Sequence, residues 1–213
     1  MSTPISQTPP TNLALRRRAR NRSATAHERV SFFEEEIAGR MLERLDYIKL
    51  EPGMILDLHC GLGAASEALA RRFPQAKVVQ LDPSFDLLRR PSKEKNPRKK
   101  FFNWFEKFPM RVCAEAHALP FAPNSFDLVW SSLFALSYAA PDIIRETKRV
   151  LRPGGLLMLS TLGPDTLKEL RAVFSQVDTL PHIQPQVDMH DLGDMLAHEG
   201  FATPVVDMEM ITL

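Results

Sequence analysis

Three carboxylates stand where short apolar runs end. Asp57 is next to last in MILDL, Asp82 closes KVVQLD, and Glu115 follows RVCA. An acid in that position is costly unless a cation or hydrogen-bond donors meet it. Between the first two lies ILDLHCGLGAAS, where Gly61 and Gly63 sit in a turn that opens a helix. Glycines there let backbone approach a ligand, and a helix start offers free N–H groups. His59 stands where a third glycine is expected, and Ser66 where the dinucleotide fingerprint has its last. No Gly-Lys-Ser/Thr follows, which excludes a phosphate-cradling P-loop.

Each acid suggests a different contact. Asp82 lies about 20 residues past the turn, the place from which an acid takes ribose hydroxyls. Glu115 is placed to accept from an adenine amino group. Asp57 would repel a pyrophosphate and attract an ammonium, such as that of the methionine part of S-adenosylmethionine; its structural alternative is to brace the loop backbone. The turn with Asp82 alone fits NAD or any adenosine-bearing ligand; each acid alone is an ordinary strand-end residue, but three along one edge are harder to dismiss. No Ser/His/Asp arrangement and no Cys/His cluster with zinc spacing occurs, so no catalytic base and no metal site is assigned.

The elements that must position these residues follow from periodicity. Phe33, Ile37, Met41 and Leu45 recur every four residues, predicting a helix over 26–45 with one buried stripe. Pro52-Gly53 breaks it. Strands are expected at 54–58, 77–82, 111–116, 125–133 and 156–161, with a sixth beginning in TPVVDMEMITL. Helices are expected at 64–73, from Phe85, and at 141–151, 166–176 and 189–199. Thr166 with Glu169, and Asp188 with Asp191, fit helix caps. Alternating strands and helices imply a parallel sheet covered on both faces, with ligands outside the strand carboxyl ends.

Composition bounds the rest. The 213 residues are 44% hydrophobic and carry 27 basic against 26 acidic side chains. No run approaches the roughly 18 apolar residues of a membrane span. The two cysteines, Cys60 and Cys113, read as buried thiols of a reducing compartment. Residues 1–22 read as a disordered basic tail and 23–213 as one domain. The first 27 residues are acid-free and rich in Arg, Ser and Thr; a cytoplasmic protein with a basic tail and a mitochondrial-matrix protein with a transit peptide both fit. Residues 89–111 hold nine Lys or Arg against two acids, interleaved with Phe101, Phe102, Trp104, Phe105 and Phe108. Four of these aromatics share one helical face, which favours a helix packed on the sheet over an RNA-stacking surface. Its basic side would then meet an acidic partner.

ILDLHCGLG, VVQLDPS, CAEAHALPFAPNSFDLVWSSL and KRVLRPGGLLMLST resemble class I S-adenosylmethionine-dependent methyltransferases. TLGPDTLKELRAVFSQVD and PHIQPQVDMHDLGDMLAHEGF resemble the malonyl-acyl-carrier-protein O-methyltransferases of biotin synthesis, the BioC family, and a related mitochondrial complex I assembly factor. The resemblance implies a Rossmann-like, doubly wound, mostly parallel sheet. It implies S-adenosyl-L-methionine as cofactor and methylation of a carboxylate on malonyl-acyl carrier protein, with the carrier docked on residues 89–111. Asp57, His59, Gly61 and Gly63 would line the methionine end. Asp82 and Pro83 would face ribose and adenine, Glu115 and Ala116 the adenine amino group, and Ser131 and Leu133 the path to the methyl group.

The chain departs from that pattern. His59 replaces a glycine, Arg20 a phenylalanine, His27 a tyrosine, and Ser132 an asparagine. The family's last antiparallel strand, which lies between the fifth and sixth, has no counterpart before Leu213. A non-catalytic assembly module, or an arginine hydroxylase like the mitochondrial relative, are the other functions these features allow.

Overall fold

The computed structural model describes residues 13–90, 110–133, 140–180, 182–183 and 186–211, without the side chains of residues 13, 16 and 23–30. The aromatic and basic stretch between 91 and 109, and the side chain of His27, lie outside the described residues.

Helix α1 runs Leu13–Arg44 and ends in a short 3-10 turn, Leu45–Tyr47. The remaining elements alternate as expected: β1 Met54–Leu58, α2 Ala64–Arg72, β2 Lys77–Asp82, α3 Phe85–Arg89, β3 Met110–Cys113, β4 Phe126–Ser131, α4 Ala140–Val150, β5 Leu151–Leu159, α5 Lys168–Phe174 and α6 Met189–His198. The strands form one sheet in the order β3-β2-β1-β4-β5, and every pairing is parallel. The order reverses between β1 and β4, which opens a crevice beyond the carboxyl end of β1.

Strand alternation divides the core in two. Leu56, Leu58, Val79, Leu81 and Val129 face α4 and α6, meeting Ile143, Ile144, Leu192 and Leu196. Ile55, Leu128 and Trp130 face the other way, meeting Ala65 and Leu69 of α2 and Ala38, Met41 and Leu45 of α1. The odd-numbered positions of β1 and the even-numbered positions of β2 therefore point toward α1 and α2. Asp57, Gln80 and Asp82 share that face. Asp127 fastens the entry to β1: its Oδ2 accepts from Gly53 N at 2.9 Å and Met54 N at 2.8 Å, and its Oδ1 from Arg152 at 2.6 Å.

Four expectations are corrected. Residues 13–22, read as disordered, are helical; Leu, Ala and Arg are strong helix formers, and they outweigh the charge that the tail reading emphasised. TPVVDMEMITL forms no strand among the described residues. A strand requires a ladder partner, and this segment instead ties to α1, with Arg44 holding Asp207 at 2.9 Å and Arg40 holding Glu209 at 2.9 Å. The cap at Thr166 does not form: α5 starts later, behind Leu167 in a left-handed conformation. Asp188 does cap α6, accepting from His190 N at 2.8 Å. Cys60 is buried but Cys113 is exposed, and neither forms a disulfide. No helix among the described residues is long and apolar enough to cross a membrane.

Candidate functional site

The carboxyl ends of β1 and β2 bring Asp57 and Asp82 to the same edge, both almost wholly buried. Asp57 pairs in register with Gln80, and the chain then turns through His59 to Gly63 into α2. Three residues of this turn have positive φ: His59 at 61°, Gly61 at 56° and Gly63 at 86°. The left-handed region suits glycine and strains His59. Gly63 is required for a second reason. A Cβ there would overlap the Gln80 Nε2 and come within 3.4 Å of its Cδ. Gln80 is held in place by Arg111, whose Nε donates to its Oε1 at 3.1 Å.

Asp57 accepts a short hydrogen bond from Ser66 Oγ of α2. Burial pushes its carboxyl up to about 7; the Ser66 bond lowers it and the nearby negative charge of Asp82 adds to the rise. Asp57 is thus poised between neutral and charged near physiological pH. His59 moves the opposite way: burial and the positive charge of Arg20 push its imidazole down to about 3, against the pull of Asp82. It is a neutral ring at pH 7.

Asp82 is the most densely bonded acid of the edge. Its Oδ1 accepts from Ser84 N at 2.8 Å and from Arg20 Nε at 2.9 Å; its Oδ2 accepts from Gly61 N at 3.1 Å and Arg20 Nη2 at 2.6 Å. Burial alone would raise its pKa, but the guanidinium holds the carboxyl below its ordinary value. Two of the donors are backbone and fix the loop. The other two are the fork of one arginine, brought from α1.

The remaining expected residues sit around this centre. Pro83 is buried directly after Asp82. Glu115 is half-buried in the turn after β3, beside the wholly buried Ala116. Ser131 is buried at the end of β4, but its Oγ donates to Leu58 O at 2.8 Å, so it ties β4 to β1. Leu133 has φ 53° and its N–H donates to Ser160 Oγ at 2.9 Å. Asp57, His59, Gly61, Gly63 and Asp82 are brought together; Glu115 lies along the same edge, two residues beyond the strand end.

Three participants were not assigned by sequence reasoning. Ser66 was visible only as a missing glycine, and Gln80 only as a polar residue inside an apolar strand. Arg20 was visible only as a departure from the family, because its partner lies 62 residues away.

The donor set fits an adenosyl ligand on one condition. A ribose offers two adjacent O–H donors, and Arg20 presents two adjacent N–H donors to the same carboxylate. One pair can replace the other without leaving Asp82 unsatisfied. The second acid, Asp57, is buried without a cationic partner in hydrogen-bond reach among the described residues, which suits an incoming ammonium.

Comparison with known proteins agrees. Residues 56–159 match a family model described as a methyltransferase domain. The malonyl-acyl-carrier-protein O-methyltransferase of Gallionella capsiferriformans is 45% identical over 199 residues, covering 92% of this chain and 68% of that protein. The enzyme of the same name from Laribacter hongkongensis is 42% identical, covering 91% and 65%. The chain thus spans about two thirds of the length of these relatives. Among solved structures, a Haloferax volcanii putative methyltransferase in complex with the Trm112 activator shares the fold at TM-score 0.63 and 19% identity, covering 85% of this chain and 75% of that one. A Haemonchus contortus phosphoethanolamine N-methyltransferase with S-adenosyl-L-methionine bound does so at TM-score 0.56 and 20% identity, covering 76% and 36%. A parallel sheet with acids at successive strand ends and relatives of this identity lead to one assignment: the chain belongs to the malonyl-acyl-carrier-protein O-methyltransferase family of class I S-adenosylmethionine-dependent methyltransferases.

Proposed function

We propose that this chain methylates the free carboxylate of malonyl-acyl carrier protein, the reaction after which its relatives are named. The observation that carries the reading is the pair of buried acids, Asp57 and Asp82, flanking a left-handed glycine turn at the crevice of the sheet. S-adenosylmethionine, when bound, supplies an electrophilic sulfonium methyl group. The chain's own residues supply placement. Asp82 accepts the ribose diol, Pro83 and Ala116 wall the adenine, and Glu115 accepts from its amino group. Gly61 and Gly63 keep the turn low, and Asp57, oriented by Ser66, faces the ammonium.

The acceptor carboxylate is ionised at neutral pH, with an ordinary pKa near ~4, so the transfer requires no general base. Proximity and exclusion of water then account for the rate. Carrier proteins with acidic surfaces would meet basic side chains; Arg17, Arg18 and Arg22 of α1 and Arg89 of α3 are exposed. Residues 91–109 add six further Lys or Arg residues to the sequence.

Incubation with S-adenosylmethionine and malonyl-acyl carrier protein, read by intact mass, tests the proposal. Gain of one methyl group on the carrier supports it, and an unchanged carrier with a cofactor-binding protein contradicts it. Gain of one oxygen on an arginine peptide would instead support the hydroxylase reading. The non-catalytic reading rests on His59, and His59→Gly separates it: a large gain in cofactor affinity marks a damaged site.

A further inference from the structure

Arg20 occupies the two acceptor directions of Asp82 that a ribose diol would use. We propose that the N-terminal half of α1 is a gate over the ribose end of the site, latched by Arg20 on Asp82, and that adenosyl ligands enter by displacing the latch. The inference rests on the cofactor reading above.

The geometry separates a fixed half of α1 from a releasable half. The C-terminal half is built into the core through Ala38, Met41 and Leu45, and is tied further by Arg40 and Arg44 to Glu209 and Asp207. Among the described side chains of residues 14–22, none is buried, and Leu15 is 58% exposed. Two polar ties hold this half to the site. The Arg20 fork meets Asp82 at 2.6 and 2.9 Å, and Ser84 Oγ donates to Asn21 Oδ1 at 2.5 Å. Lifting residues 14–22 therefore breaks hydrogen bonds that water or a ligand can replace.

The exchange is close to balanced at Asp82. When the latch opens, Gly61 N and Ser84 N still hold the carboxylate, and two ribose hydroxyls take the places of Nε and Nη2. A closed fraction that must open first lowers apparent affinity in proportion to the open population. The latch thus sets the affinity for cofactor and product alike, and any partner that attracts the arginines of α1 away from Asp82 would raise it. An acidic carrier protein is such a partner by charge.

Calorimetry with S-adenosylhomocysteine, together with hydrogen exchange of the amides of residues 14–22, tests the gate on the full chain. Arg20→Met keeps the side-chain stem and removes the fork; Asn21→Ala loosens the same half without touching Asp82. The expected result is binding about tenfold tighter for Arg20→Met, a smaller gain for Asn21→Ala, and faster exchange of residues 14–22 in the wild-type chain once ligand is bound. Unchanged or weaker binding by both variants, or ligand-induced protection of residues 14–22, overturns the gate and leaves the cofactor reading intact. Absence of binding by the wild type and both variants removes the cofactor reading, and the gate with it.

Discussion

Gly63→Ala isolates the turn that defines the site. Two costs are legible. Gly63 has φ 86°, and a left-handed conformation costs an L-residue about 1–2 kcal/mol. The new Cβ would also displace the Gln80 amide, which is buried and accepts from Arg111 Nε at 3.1 Å. Losing that bond inside the protein adds about 1–3 kcal/mol. Together the substitution should cost about 2–5 kcal/mol, a large share of a typical native stability of about 5–15 kcal/mol. Urea unfolding followed by far-ultraviolet circular dichroism measures it. A cycle with Gln80→Ala separates the two parts: in that background Gly63→Ala should cost only the backbone part, about 1–2 kcal/mol. An equal cost in both backgrounds would refute the steric argument, and a cost below about 0.5 kcal/mol in the wild type would refute both.

Three further outcomes follow from the buried groups. Ser66→Ala should raise the Asp57 pKa above its value of about 7 and lower stability by about 1–3 kcal/mol, because the buried carboxyl loses its donor; urea midpoints and carboxyl NMR titration read both. The raised Asp57 favours folding fully below 3.8 and loses that contribution as pH rises to about 7, whereas the depressed His59 favours folding above 6.5 and loses its contribution as pH falls toward about 3. Stability of Asp57→Asn relative to wild type should therefore climb from about pH 4 to about pH 7, and that of His59→Gly should climb as pH falls from about 6.5; flat differences in thermal midpoint would show that neither shift exists. Binding of an ammonium-bearing ligand beside Asp57 should pull its pKa down and release part of a proton near pH 7. Calorimetry in buffers of different ionisation enthalpy detects that release, and Asp57→Asn should abolish it.

Much of this arrangement was legible in the sequence for local reasons. Short, largely apolar runs with Asp57 next to last in one and Asp82 last in the other marked both the strands and the edge, because a buried parallel strand is apolar along its length and its ligand-facing residues come near its end. The glycines of the turn marked its backbone. What was not legible was long-range. Nothing near Arg20 announces a partner 62 residues away, and the Ser66 contact requires the pitch of α2 to be known. The start of α1 was misread because basic, Ser-bearing sequence was weighed as a tail although its Leu, Ala and Arg residues favour helix. The segment after Thr203 has strand composition, but without a ladder neighbour composition does not make a strand. The pairing opposite β4 skips from Leu151 to Leu156, so Pro153-Gly154-Gly155 lies in a register shift within β5.

The account stands most directly on where an adenosyl ligand sits. A crystal structure of the chain with S-adenosylhomocysteine should show both ribose hydroxyls on Asp82, Arg20 displaced from it, and the amino-acid end over Gly61 and Gly63 beside Asp57. A ligand bound elsewhere, or one that leaves the Arg20–Asp82 pair intact, would contradict it.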